Sequence, residues 1–410
     1  MSEIIVLGAG MVGVSAALEL QSRGHHVVLV DRTTPGIETS FGNAGIIQAE
    51  AAEPYALPRD LSTLMRFGLG FTNDVVWSMS GLFKMIPALW KYFGYSSATS
   101  HQHISQHYAQ LTGRSTLDHQ PLISASQSED LIKRDGLCML YRHEKEFGEA
   151  VKEAQYCLEA YGVTSRVYSG EEYRQQEPAL KSTPAGVIHW DQSWSCRSPG
   201  KLTQAYADLF VNRGGELITA DAMQLKQQGE SWVLPTQQGN IEAEHVVVAL
   251  GPWSPELLKP LGYHIPMVYK RGYHGHFAVK ETLQRPFLDT ANGILATNTV
   301  EGLRLCTGAA LVDMSAPAEP VQLNRGEKAI RELLDFGERV EEPQWFGTRP
   351  CMPDMMPVVG AAPKHKGLWF NFGHGHQGFT LGPTTAMLLA DAMENKTNLL
   401  QVPLDPSGRF

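Results

Sequence analysis

Residues 3–32 read E-I-I-V-L-G-A-G-M-V-G-V-S-A-A-L-E-L-Q-S-R-G-H-H-V-V-L-V-D-R. Residues 4–7 are a short apolar run, suited to a strand buried on both faces. Gly8, Gly10 and Gly13 then give G-x-G-x-x-G. The first glycine allows a tight turn, the second lets backbone approach a pyrophosphate, and the third lets a helix pack close to the strand. Val12, Ala16, Ala17 and Leu20 recur at helical spacing, Gly24 supplies a stop, and residues 27–30 form a second strand that ends at Asp31. A helix N-terminus offers free N–H groups and a partial positive charge to a pyrophosphate. Asp31 follows Gly13 by 18 residues, near the spacing at which an acid meets a ribose hydroxyl. The stretch reads as a dinucleotide-binding βαβ unit. Its candidate contacts are Gly8, Gly10, Met11, Val12, Gly13, Asp31 and Arg32. By itself it does not separate FAD from NAD, and the plain alternative is a glycine turn without a ligand.

The chain has 410 residues, enough for two domains, and 43% of them are hydrophobic. A net charge of −9 argues against a nucleic-acid partner. The start, Met-Ser-Glu followed at once by a strand, is not read as a signal or transit peptide. No run of 18 apolar residues predicts a spanning helix. Five scattered cysteines without a C-x-x-C point to reduced thiols in a cytoplasmic protein.

The next segment, 33–49, is rich in small residues. Ser40, Gly42, Asn43, Ala44, Gly45 and Ile46 could run along a pyrophosphate and a flavin edge, or simply form a joining loop. Within it, E-T-S-F-G-N-A-G at 38–45 closely resembles the E-T-S-x-x-N-A-G segment of the FAD-dependent D-amino acid dehydrogenase small-subunit family. That family sits within the D-amino acid oxidase, glycine oxidase and sarcosine oxidase group. Two later segments resemble the group as well: H-V-V-V-A-L-G-P-W-S at 245–254, and G-T-R-P-C-M-P-D-M-M-P-V-V-G at 347–360 followed by N-F-G-H-G-H-Q-G-F-T at 371–380.

The resemblance implies a doubly wound, Rossmann-like FAD domain (α/β) joined to an α+β substrate domain built on an antiparallel sheet. Non-covalent FAD is the implied cofactor. Further cofactor contacts follow at Ala222, Met223, Ala249, Gly251, Trp253, Gly373, His374, Gly375, His376, Gln377, Gly378, Phe379 and Thr380. A helix N-terminus after the glycine loop would stabilise charge on reduced flavin. The implied activity is oxidation of a D-amino or D-imino acid to the imine and 2-oxo acid, with hydride passing to flavin N5 and electrons onward to a quinone or another acceptor. Arg349, in the family's R-P motif, would pair the substrate carboxylate through its planar fork. Tyr273 would donate a hydrogen bond over the site, and His374 is preferred to His376 for contact with flavin or substrate. His276 is expected to face away from His274. No metal site is expected of the two H-G-H tripeptides, which lack a nearby carboxylate cluster. Cys351 is weighed as a covalent flavin anchor and read instead as a small apolar residue.

The sequence departs from the family where substrate would bind: T-P-D-G-T-P becomes C-M-P-D-M-M-P. D-alanine is therefore not carried over as the substrate, and a cyclic imino acid such as D-proline or D-hydroxyproline is plausible. The rivals are a glycine or N-methyl amino acid oxidase, a flavin-bearing subunit of a heteromeric dehydrogenase such as D-hydroxyproline dehydrogenase, and an NAD-dependent dehydrogenase.

Residues 61–96 are dense in aromatics and methionines, with Lys84 and Lys91 in an apolar background. They are read as a buried helical pair covering the site, with peripheral contact at the inner face of the cell membrane as the alternative. The expected division assigns 1–54, 141–185, 197–261 and 346–410 to the FAD domain, and 55–140, 186–196 and 262–345 to the substrate domain.

Overall fold

The computed structural model describes residues 2–68, 73 and 75–410. Its first strand, Glu3–Leu7, sends Ile4 and Val6 into one apolar core and Ile5 and Leu7 into another. Side chains alternate across a strand, so a run apolar at every position must be covered on both faces. The strand pairs in parallel with His26–Asp31 on one side and His245–Val248 on the other. The complete six-stranded order is Glu216–Thr219, His26–Asp31, Glu3–Leu7, His245–Val248, Leu368–Phe372 and Val358–Ala361. The last of these, at the edge, runs antiparallel.

The Met11–Ser22 helix covers one face together with Pro199–Asn212 and Gly378–Met393. A three-stranded sheet, Lys226–Gln228, Ser231–Thr236 and Gly239–Ala243, covers the other, with Trp232 and Leu234 in its core. This is the doubly wound cofactor layer that the resemblance implies, with the βαβ unit of residues 3–32 at its centre.

A second sheet has ten strands. Its longest, Val268–Phe277, pairs antiparallel with Trp345–Cys351, Gly302–Cys306 and Ala309–Leu311. The helix Val321–Ile330 packs over it through Leu323 and Ile330. Two joins are parallel, Phe287–Asp289 with Leu137–Tyr141 and Ala309–Leu311 with Val75–Trp77, so the sheet is mixed rather than purely antiparallel.

Three further differences from expectation have local causes. Residues 267–269 and 273–279 each have a strand-like sequence and suggest two separate strands, yet Val268–Phe277 is a single strand, because Gly272 sits in the ladder opposite Gly347 and does not break it. Between the helices Leu61–Gly68 and Met79–Tyr95 lies a strand, Val75–Trp77; two β-branched residues and an aromatic suit a pleated surface. In the segment 141–185, assigned from sequence to the FAD domain, Arg166–Ser169 pairs with Gly186–Trp190 and the helix Glu144–Tyr161 packs on the second sheet. An amphipathic helix shows which face it buries, not which sheet it covers. A small sheet of Ile46–Ile47, Trp194–Cys196 and Ile132–Lys133 ties distant parts of the chain together.

Candidate active site

The carboxyl ends of the Glu3–Leu7, His26–Asp31 and His245–Val248 strands open into one cavity of about 1260 Å3 that reaches the second sheet. At Gly8 the backbone takes φ +104°, and a Cβ would lie 2.5 Å from the Ala249 carbonyl oxygen. At Gly13 a Cβ would lie 1.8 Å from the Gly8 carbonyl oxygen, so only glycine lets this helix sit so close to the turn. Ser40 Oγ accepts the Met11 N–H at 2.9 Å. No acid occupies the helix's first turn, which leaves its positive end open to a phosphate. Asp31 accepts the Ala9 N–H at 2.6 Å and the Thr33 N–H at 3.0 Å, bracing the glycine turn while it borders the cavity. Ala222 and Met223 border the same end, where Asp221 accepts the Met223 N–H. The Arg32 guanidinium lies 4.4 Å over the Trp253 ring.

The loop 38–45 is pinned from behind. Asn43 Oδ1 accepts the Gly45 N–H, and Arg304, 1% exposed, donates to the carbonyls of Phe41 and Asn43 at 3.0 and 2.7 Å. Arg304 Nε also donates to His276 Nε2 at 2.8 Å. His276 therefore carries its proton on Nδ1, which donates to Glu341 at 2.8 Å. His274 stacks on Trp345 at 4.9 Å and lies 5.0 Å from His276. The expectation that these two histidines face apart is thus corrected, since residues two apart in a strand share a face. Burial, then the neighbouring Arg304, pulls His274 far below the usual histidine range.

In the C-terminal glycine loop, Gly373 and Gly375 adopt φ +82° and +61°. His374 turns its Nε2 onto Thr385 Oγ at 3.0 Å, whereas the His376 ring packs 4.9 Å from Tyr55. Burial lowers both imidazoles to about 3; Arg349 and Lys270 contribute at His376. It is His376, not the preferred His374, that adjoins these cations.

Most of the expected cofactor residues border the cavity: Gly8, Gly10, Met11, Val12, Asp31, Arg32, Ser40, Gly42, Asn43, Ala44, Ile46, Ala222, Met223, Ala249, Gly251, Trp253, Gly373, His374, Gly375, His376, Gly378 and Phe379. Four stand behind its wall. Gly13 and Gly45 make room for backbone, Gln377 donates to Gln48, and Thr380 donates to the Ile46 carbonyl.

At the far end, Arg349 donates to the carbonyls of Gly308 and Thr307 at 2.7 and 3.0 Å. It crosses over Gly272, where a Cβ would lie 2.6 Å from Nη2. Among the described residues no carboxylate pairs with it. Tyr273 borders the cavity, but its ring packs in the core against Phe346 and its hydroxyl accepts the Glu319 N–H at 3.1 Å, which turns it away from a donor role over the site. Lys270, Tyr55 and Trp345 also border this end and escaped the sequence reading, because no local pattern reports which strands will be neighbours.

The residues present fit a flavin dinucleotide. The glycine cradle and a helix start free of acids suit a pyrophosphate. Asn371, whose buried amide has no partner, and His374 Nδ1, also unpartnered, offer polar groups to a ring edge.

The arrangement defines a flavin-dependent oxidoreductase. The chain belongs to the FAD dependent oxidoreductase (DAO) family, whose pattern spans residues 3–392. It depends on FAD, which removes the NAD alternative. It is 28% identical to a D-amino-acid oxidase of Bradyrhizobium diazoefficiens, over 98% of this chain and 97% of that protein. It is equally identical to a D-amino acid dehydrogenase of Chromohalobacter salexigens, over 99% and 98%. The crystal structure of glycine oxidase from Geobacillus kaustophilus shares the fold, with a TM-score of 0.76 at 20% identity, covering 99% of this chain and 98% of that one.

Proposed function

We propose that this enzyme oxidises a D-amino or D-imino acid at its α-carbon. The observation that carries the reading is Arg349: a guanidinium bordering the cavity, held by two carbonyl oxygens, with no carboxylate partner among the described residues. A planar fork fixed in this way suits a substrate carboxylate. Bound FAD would supply the acceptor for the hydride of Cα, and water would hydrolyse the imine to the 2-oxo acid with ammonia from a primary amine or a primary amine from a secondary one. Held near 3, His374 and His376 are too weakly basic to keep a proton taken from the substrate ammonium at neutral pH, so the amine enters or reacts neutral. Similarity to curated D-amino acid enzymes supports the stereochemistry.

Anaerobic visible spectra, recorded as D-, L- and N-methyl amino acids are added singly, test this. Bleaching of the flavin bands by D-amino or D-imino acids alone is expected. Bleaching by glycine or sarcosine alone would replace the reading.

For the acceptor we propose a quinone reached from the inner membrane surface. Met79, Phe83, Ile86 and Trp90 lie on the outer side of the Met79–Tyr95 helix, Phe83 and Trp90 being 65% and 77% exposed, while Lys84 and Lys91 flank the stripe. Leu82 and Leu89 border the cavity from the same helix, and so do the exposed Ile86 and Trp90, so the apolar outer surface runs on into the mouth of the site. Such a stripe suits peripheral lipid contact. Among the described residues no helix is long and apolar enough to cross a membrane. Co-sedimentation with anionic vesicles, and reduction of a vesicle-borne quinone, are the expected results.

A further inference from the structure

Lys270 and Arg349 stand directly opposite each other in the antiparallel pair Val268–Phe277 and Trp345–Cys351. Opposed residues share a face, with Cβ atoms about 5 Å apart, and like charges there repel. Burying two cations without a counter-ion adds to the cost. Yet both side chains border the cavity, and the hydrogen bonds of each go to neutral oxygens. They diverge: Arg349 reaches the Thr307 and Gly308 carbonyls, whereas Lys270 donates at 2.9 Å to the Tyr92 hydroxyl on the Met79–Tyr95 helix. Tyr92 donates its own proton to the Tyr55 carbonyl, which leaves a lone pair for the ammonium. Lys270 keeps further N–H groups for a ligand.

Among the described residues no acid pairs with either cation. Asp31, Glu38, Asp221 and Glu256 border the cavity at the ends of strands of the first sheet or on the segments that follow them. Glu50 is bonded to Ser193 and Gln48, and burial favours its neutral form. A single α-carboxylate would satisfy the arginine and leave the lysine.

We propose that Lys270 and Tyr92 form a second anion site, and that the substrate is an amino acid bearing a second carboxylate, on its side chain or its nitrogen substituent. Arg349 takes the α-carboxylate as a fork; Lys270 takes the other as a point charge. This rests on the amino acid oxidation described above.

The test is calorimetry on the FAD-loaded protein with length-matched probes, succinate against butyrate and glutarate against pentanoate. The dicarboxylate of at least one pair should bind at least about tenfold tighter, the scale of one charged hydrogen bond. Lys270→Met should erase that difference and leave monocarboxylate affinity within about twofold, while Lys270→Arg should keep it. Absence of any preference in the parent overturns the proposal. So does Lys270→Met weakening butyrate as much as succinate, which would assign the lysine to the α-carboxylate. Should Lys270→Met fail to fold, Tyr92→Phe must lower the preference several-fold or the site is not there. Turnover separates the two readings. Failure of every amino acid to bleach the flavin sinks amino acid oxidation, whereas bleaching by D-glutamine as readily as by D-glutamate, and by no N-carboxyalkyl amino acid more readily, sinks only the second site.

Discussion

The two ends of the cavity are made from different materials. The nucleotide end is mostly backbone: a glycine turn, a helix terminus and a pinned loop, with Asp31 and Ser40 spent on holding main-chain N–H groups. The substrate end is side chain: Arg349, Lys270 and His376 projecting from three segments far apart in sequence. The first end tolerates almost no added volume and the second almost no lost charge. Substitutions at each should therefore fail in different ways.

The largest expected effect is at the first end. Gly13→Ala drives a methyl into the Gly8 carbonyl, 1.8 Å away. It should cost about 3–4 kcal/mol of stability and abolish FAD retention, read as loss of yellow colour and a lowered Tm. Arg349→Ala should do the opposite, leaving colour and Tm nearly unchanged while kcat/KM falls by about 2–4 kcal/mol of transition-state binding. If Arg349→Ala bleached the protein of FAD, the contrast between the ends would collapse.

A third prediction concerns a group that belongs to neither end and supports both. His119, fully buried, bonds to the Tyr206 hydroxyl and the Phe379 carbonyl at 3.0 and 2.9 Å, joining three helices behind the cavity. Burial lowers it from 6.5 to about 4. The unfolded chain therefore takes up the proton first as pH falls. Its contribution is whole above pH 6.5 and is lost on descending toward pH 4, by about 3 kcal/mol. Tm measured over that range should fall with pH, and His119→Gln should flatten the slope.

Arg304→Met should weaken FAD binding by about 2 kcal/mol without changing KM for substrate, since Arg304 holds only the 41–43 carbonyls and His276. Fluorescence titration of apoprotein with FAD reads this. Smallest of all, Trp90→Ser should alter Tm by less than about 0.5 kcal/mol equivalent and leave turnover with a soluble dye unchanged, while vesicle binding falls.

The same contrast explains what the sequence disclosed. The βαβ unit was legible because its chemistry lies within 30 residues at fixed spacing, and helical and strand periods confirm one another there. Arg349 became legible through its R-P motif. Lys270 did not, because nothing local states that residue 270 will face residue 349; that is fixed by strand register across 78 intervening positions. His374 and His376 were both visible in the glycine loop, but which ring would meet Thr385 and which Tyr55 depends on the packing of a helix and a distant loop. Val75–Trp77 was missed because its partner, Ala309–Leu311, is equally short.

The Val268–Phe277 strand divides its duties position by position. Lys270, Gly272, His274 and His276 face the ligands or what holds them. Between them, Arg271 donates to the carbonyls of Asp313, Met314 and Pro317, Tyr273 accepts from Glu319, and Phe277 fills the core. A lineage could therefore exchange residue 270 and acquire a new diet without disturbing the neighbours that keep the sheet folded.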